Sequence, residues 1–364
     1  MTRASLEHRI ATFIDACAAG STDHATRDAL LAELSGYQAE HVEPYRRFLA
    51  AEPRRPRAFA LPALPTDVFR FARVASHAPA DDIKTFRTSG TTGEQRGEHV
   101  FRDLALYDRA ARAAAAYALF PPPARVTLCI LAPTEAELPD SSLSYMLARF
   151  TEWFGTTSTR YAWRDGRLDV DALITALRRS EYQNEPLALL GTSFAFVHAD
   201  AALAPLRFQM PVGSRIMQTG GFKGRSRTIE PAAMVEMLRE RYAVDPRCIV
   251  QEYGMTELSS QLYETPLRAA CLNLPSSARR LWVPSWMRAE PIDPETLEPV
   301  QGDALGLLRI DDLANLDSVC AIQTSDLAQR CEDGVIVLGR APDAVARGCS
   351  LAVDQWLGDG DAHA

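Results

Sequence analysis

The stretch Thr85-Phe86-Arg87-Thr88-Ser89-Gly90-Thr91-Thr92-Gly93-Glu94-Gln95-Arg96-Gly97 alternates hydroxyl side chains with glycines. Glycine lets main-chain N–H groups turn toward an anion with no Cβ in the way. Successive N–H groups in such a turn make a concave anion site, and serine or threonine hydroxyls add donors. Thr88, Ser89, Gly90, Thr91, Thr92 and Gly93 are therefore candidates to cradle a polyphosphate, and Arg96 supplies a charge that cannot be lost. A Walker A loop is excluded, because the Gly-Lys-Ser/Thr ending is missing. A polar surface turn shares this composition, and only the order of the residues separates the two.

A second stretch, Glu252-Tyr253-Gly254-Met255-Thr256-Glu257, follows the apolar run Cys248-Ile249-Val250. Tyr253 offers an aromatic face for a purine, Thr256 a hydroxyl for phosphate, and Glu257 a hard oxygen for Mg²⁺. A third, Thr219-Gly220-Gly221-Phe222-Lys223-Gly224, follows Arg215-Ile216-Met217-Gln218. Adjacent glycines after a strand allow a flat ligand to lie against the backbone, although a plain polar turn reads the same way. Lys223 stands out because Lys84 is the only other lysine in the chain.

These stretches need strands and helices to hold them. Residues 5 to 50 read as helices, with Ser21, Thr22 or Asp23 as a cap and Gly36 as a stop. Arg125 to Leu131, Leu187 to Leu190, Arg215 to Gln218 and Cys248 to Val250 read as short buried strands. Helices are expected from Asp103 to Leu119, from a Ser141 cap to Phe154, from Asp171 to Arg179, and from Pro231 onward. Gly191-Thr192-Ser193 reads as a strand-end loop, where open α/β sheets bind ligands, or as a simple turn.

With 364 residues, 47% hydrophobic and 24% charged, the chain has the make-up of an ordinary globular protein. A net charge of −8 without a basic block argues against nucleic acid. No apolar run of about 18 residues suggests a membrane span, and the polar start Met1 to Arg9 does not read as a signal peptide. Cys17, Cys129, Cys248, Cys271, Cys320, Cys331 and Cys349 are scattered without a CxxC pair, which points to a reduced, cytoplasmic protein.

The order Thr-Ser-Gly-Thr-Thr-Gly resembles the phosphate loop of the adenylate-forming superfamily, with Arg96 where that family has lysine. Tyr253-Gly254-Met255-Thr256-Glu257, placed 160 residues after Gly93, resembles its Tyr-Gly-x-Thr-Glu motif. Trp282 to Arg288, Asp293 to Val300, Asp312 to Ser318, Thr324-Ser325-Asp326-Leu327, Gly339-Arg340 and Arg347 to Leu351 narrow the resemblance to LuxE-type acyl-protein synthetases. It extends from about residue 60 to the end.

The resemblance implies an α/β fold of the adenylate-forming kind, with mostly parallel central sheets flanked by helices. The domains expected from it are an N-terminal helical segment 1–60, an α/β body 61–340 and a hinge-like tail 341–364. The chain ends 24 residues after Arg340, so the family's C-terminal lid and its lysine are expected to be absent, with Lys223 as a substitute. Asp326 would hold the ribose, with Ser325 where the family usually has glycine. Arg340 matches the hinge arginine. Gly220, Gly221 and Tyr253 would meet the adenine, and Glu257 would hold Mg²⁺. Cys349 matches the cysteine that carries the acyl group.

The expected reaction is ATP-dependent conversion of a carboxylic acid, by resemblance a fatty acid, to an acyl-adenylate and pyrophosphate. Transfer to Cys349 and then to a reductase or carrier protein would follow. The alternatives are a ligase that uses CoA or a carrier-protein thiol directly, and a subunit that binds an adenylate without turnover. His198 and the other six cysteines read as ordinary packing residues, and no Ser-His-Asp arrangement competes.

Overall fold

Two hydroxyl or carboxylate caps start the N-terminal helices. The Thr2 hydroxyl accepts from the Ser5 amide ahead of Arg3–Ala18, and Asp23 accepts from the Thr26 amide at 3.0 Å ahead of His24–His41. The computed structural model describes residues 2–89, 95–122, 125–220, 229–275 and 278–341. Within it Gly36 does not end a helix. The helix runs through to His41, and the open space around Gly36 leaves only the roughly 1 kcal/mol propensity penalty of a mid-helix glycine.

Two units divide the chain. The first comprises Met1–Ala113, Met255–Gln261 and Trp282–Ala364, and the second comprises Ala114–Gly254 and Leu262–Leu281. The stretch 61–340 is thus shared between them.

In the first unit, the strands Met287–Ile292, Leu305–Asp312, Ala321–Cys331 and Gly334–Arg340 lie side by side, each antiparallel to the next. Leu64–Pro65 adds a short parallel pairing to Ala321–Cys331. Arg288 and Asp311 are direct cross-strand partners, joined at 2.7 Å, and Arg309 bonds the same carboxylate at 2.9 Å. Both guanidinium groups lie over the Phe59 ring, 4.7 and 3.7 Å from its centre. The charge cluster is thereby paired and capped by an aromatic face rather than left bare in the sheet. The helices Arg3–Ala18, His24–His41 and Glu43–Ala51 belong to this unit. Gln38, fully buried, donates to the carbonyls of Asn315 (2.6 Å) and Leu316 (3.1 Å) and accepts from the Cys320 amide (2.8 Å).

The second unit has the parallel sheet that the sequence predicts. Arg160–Tyr161, Thr127–Leu131, Leu187–Thr192, Arg215–Thr219 and Ile249–Tyr253 run parallel in that spatial order, and Leu262–Glu264 pairs antiparallel with the last. Apolar residues of these strands pack with Leu173, Leu177, Phe196, Met234, Leu238 and Tyr242 from the helices Val170–Gln183, Ser193–Leu203 and Pro231–Tyr242. Gly191 and Thr192 are strand, not loop. A Cβ on Gly191 would meet Leu131 Cβ at 2.9 Å, so glycine is needed for strand approach. Thr192 then caps the helix that starts at Ser193.

The six described cysteines are free thiols, and no described helix is long and apolar enough to cross a membrane.

Gln38→Met keeps the volume of the side chain and removes all three of its bonds. It should lower unfolding free energy by about 3 kcal/mol or more, since three buried main-chain groups lose their partner. Urea unfolding would read this as a lower midpoint at unchanged slope, and an unchanged midpoint would contradict it.

Candidate active site

Two paired strands of the first unit flank the phosphate-type stretch in sequence. Lys84–Arg87 and Glu98–Phe101 pair antiparallel, with Arg87 opposite Glu98. The Thr88 amide donates to the Gly97 carbonyl at 2.9 Å, and the Gly97 amide donates to the Thr88 hydroxyl at 2.8 Å. Arg96 folds back across the hairpin mouth: its Nε donates to the Thr88 carbonyl at 2.6 Å and its Nη2 to the Arg87 carbonyl at 3.3 Å. Arg70 holds the Gln95 carbonyl at 3.0 Å. Thr88 and Arg96 thus close the base of the loop, and Ser89 is exposed beside it. Gly90, Thr91, Thr92 and Gly93 lie outside the described residues, as do Gly221, Lys223 and Cys349.

Thr256 and Glu257 sit on an irregular loop of the same unit. Glu257 is buried, and Leu258, Ser259, Ser260 and Gln261 after it are buried too. Buried irregular backbone must find partners, and here side chains supply them. His99, two residues past Gly97, places Nδ1 2.9 Å from the Thr256 carbonyl. A carbonyl accepts only, so Nδ1 carries the proton. Burial lowers the imidazole pKa to about 4, and the ring stays neutral near pH 7. Asn315 Nδ2 donates to the Glu257 carbonyl at 2.8 Å and to the Val319 carbonyl at 3.1 Å. Asp312 accepts from the amides of Ser259 (3.0 Å) and Ser260 (2.8 Å), the Ser260 hydroxyl (2.8 Å) and the Ala314 amide (2.9 Å). The hairpin and the Thr-Glu loop, far apart in sequence, are joined directly through His99.

Asp326 and Arg340 are register partners across two antiparallel strands. Asp326 is partly buried and Arg340 is exposed. Gly339, next to Arg340 in the same strand, has φ +107°, a backbone that favours glycine.

In the second unit, Arg215–Thr219 and Ile249–Tyr253 run parallel with Thr219 opposite Glu252. Gly220 and Tyr253 therefore emerge together at adjacent carboxyl ends, the usual place for a ligand in such a sheet. Gly220 has φ +73°, and its carbonyl lies 2.8 Å from the Ser193 hydroxyl, which also bonds Gln218. Beneath Tyr253 the sequence hides a residue it did not advertise. Glu252 is buried, accepts from the Thr219 hydroxyl, and has its pKa pushed up to about 7 by burial, with the Thr219 bond pulling the other way.

No described group of three or more His, Cys, Asp or Glu residues is gathered for a metal. A single hard carboxylate such as Glu257 fits Mg²⁺, which commonly takes one or two protein carboxylates and completes its shell with phosphate and water.

Sequence reading passed over His99, and quoted Asp312, Asn315 and Glu252 within longer stretches without giving them a role. For Glu252 a signal existed, a carboxylate inside the strand Ile249–Tyr253. The other three act through contacts that no local pattern announces.

Comparison with known proteins places the chain in a family. The profile of the family described as acyl-protein synthetase, LuxE, matches residues 18–358. The long-chain-fatty-acid–luciferin-component ligase of Aliivibrio fischeri is 22% identical over 328 residues, covering 87% of this chain and 81% of its own. The corresponding ligase of Vibrio harveyi is 22% identical over 209 residues, with 54% and 52% covered. Among solved structures, 2-hydroxyisobutyryl-CoA ligase in its postadenylation state with 2-HIB-AMP superposes with a TM-score of 0.60 at 15% identity, covering 87% of this chain and 68% of its own. ATP-bound MatB from Rhodopseudomonas palustris gives 0.50 at 16%, covering 73% and 49%. These structures share the adenylate-forming α/β fold.

Glu252 yields a pH prediction. The folded carboxyl keeps its proton up to about pH 7, whereas its ordinary pKa is 4.5. Folding therefore takes up a proton between those values, and the stability gained by keeping Glu252 neutral is lost as pH rises through 7. Glu252→Gln should match wild type near pH 4.5 and exceed it by about 3 kcal/mol at pH 8. A difference in urea stability that does not change with pH would contradict the assignment.

Proposed function

The chain belongs to the LuxE acyl-protein synthetase family, ATP-dependent AMP-forming ligases that activate an acid through its adenylate; from that we propose that it activates a long-chain fatty acid and loads the acyl group onto its own Cys349. The observation that carries this reading is the family match over residues 18–358, which spans both nucleotide motifs and Cys349.

The acid's carboxylate oxygen attacks the α-phosphorus of ATP, the bond to the β-phosphate oxygen breaks, and pyrophosphate leaves. Such a transfer is accelerated chiefly by positioning and by neutralising charge. Thr88, Ser89, Gly90, Thr91, Thr92 and Gly93 hold the polyphosphate, with Arg96 fixing the base of their loop. The hydrogen bonds of Arg96 to the Thr88 and Arg87 carbonyls support that part. Tyr253, Gly254, Gly220 and Gly221 receive the adenine, Asp326 the ribose and Thr256 a phosphate. Arg340 and Lys223 add positive charge. Glu257 would hold Mg²⁺, which would supply charge neutralisation for the phosphates.

In the second step the Cys349 thiolate attacks the acyl carbonyl, AMP leaves, and a thioester remains. A thiolate at neutral pH requires nearby positive charge or a base, and Arg347 and Arg340 are near in sequence. The thioester then passes to an acceptor protein, a reductase or a carrier. The Aliivibrio fischeri relative is named for ligation to a luciferin component, which supports a protein acceptor.

ATP–pyrophosphate exchange across a panel of carboxylic acids, followed by intact-protein mass with the best acid, tests both steps. Long-chain fatty acids should drive exchange, and wild type should gain one hydroxylamine-labile acyl group. Cys349→Ala should keep exchange within about threefold while losing the adduct entirely. Exchange with no adduct on wild type would instead assign an outside thiol such as CoA, and no exchange with any acid would overturn the enzyme reading.

A further inference from the structure

We propose that Asn315 and His99 are positioning residues for adenylate formation, stapling the carbonyls of Glu257 and Thr256 so that the nucleotide-binding loop is built before the nucleotide arrives. The proposal rests on the reading that Thr256 and Glu257 serve the nucleotide.

The loop from Met255 to Gln261 has neither helix nor strand, yet its last five residues are buried. Four main-chain groups within five residues are held by side chains: the Thr256 carbonyl by His99, the Glu257 carbonyl by Asn315, and the Ser259 and Ser260 amides by Asp312. Trp286 adds a bond to the Ser260 hydroxyl at 3.0 Å. Loops normally run over the surface because buried main chain is hard to satisfy. This one is held in place from outside itself.

Both staples take main-chain carbonyls, so neither bond uses the Thr256 hydroxyl or the Glu257 carboxylate. Both donors are also uncharged. Asn315 has a neutral amide whose two bonds, to Glu257 and Val319, fix which way it points. His99 packs against Phe69 and Phe101, with ring centres 5.9 and 4.1 Å away. A cationic staple would compete with the metal for Glu257, and a neutral one does not. His99 also belongs to the strand that leaves the phosphate hairpin, Glu98–Phe101. It therefore ties that strand to the Thr-Glu loop. Asn315 ties the Thr-Glu loop to the turn between Leu305–Asp312 and Ala321–Cys331.

Outer residues that hold ligating groups typically change affinity or activity about 10–100-fold when lost. The test uses the full chain and two readouts. The first is hydrogen–deuterium exchange of the peptide spanning 254–261 without nucleotide. The second is ATP–pyrophosphate exchange with its KM for ATP. Asn315→Ala and His99→Phe should speed deuterium uptake in that peptide at least about tenfold and lower kcat/KM for ATP by about 10–100-fold. Uptake in the strand Thr127–Leu131 should not change. His99→Asn places an amide N–H near the lost Nδ1–H and should recover most of both effects, which a purely space-filling role would not predict. Should Asn315→Ala fail to fold, the His99→Phe and His99→Asn pair decides alone. Unchanged uptake in 254–261 would overturn the stapling itself. Faster uptake with unchanged pyrophosphate exchange would overturn the reading of Thr256 and Glu257 on which the proposal rests.

Discussion

A fully buried carboxylate, Asp312, is the constraint on which the first unit turns. Removing a charge from water is unfavourable by several kcal/mol unless hydrogen bonds replace the lost hydration. Asp312 receives four, from Ser259, Ser260 (twice) and Ala314. It thereby fixes two backbones at once, the end of the Thr-Glu loop and the turn that carries Asn315. The dependence continues outward. Gln38 holds that turn from the N-terminal helices, and Arg3 of the first helix bonds Asp317 just beyond it. Helices that bear no chemistry of their own are thus tied to the position of the Thr-Glu loop.

Glu252 makes the contrast that shows how satisfaction decides charge. Both carboxylates are enclosed, and burial raises the pKa of each. Four donor groups oppose that rise at Asp312, and the Thr219 hydroxyl opposes it at Glu252. The first is a fixed structural acceptor. The second lies near its own midpoint at neutral pH, one residue from Tyr253, in a strand otherwise built for packing.

Much of the architecture was legible because it is local. Strand–glycine junctions, the Ser141 cap and Pro231 at a helix start have sequence signatures, and the structure has those elements. The order of the phosphate and Tyr-Gly-Met-Thr-Glu stretches pointed to the adenylate-forming superfamily, and the stretches from Trp282 to Leu351 narrowed it to the LuxE family. Gly36 misled because tertiary packing of a long helix outweighs one glycine, and Gly191 misled because close strand approach and a turn both call for glycine. His99 and Asn315 could not be read at all. Their partners lie 157 and 58 residues away in the chain, and a lone histidine in a strand or an asparagine in a turn has many ordinary explanations.

The discontinuity of the first unit has a consequence for biosynthesis. Its helices and hairpin are complete by Ala113, but its antiparallel sheet starts after Trp282, about 170 residues later. At ribosomal rates of about 5–20 residues per second that interval is on the order of 10–30 s. During it Ser35 and Gln38 wait without Cys320, Asn315 and Leu316, while the second unit, nearly continuous in sequence, is synthesised between them. The N-terminal piece thus leaves the ribosome well before the partners of its buried polar side chains have been made.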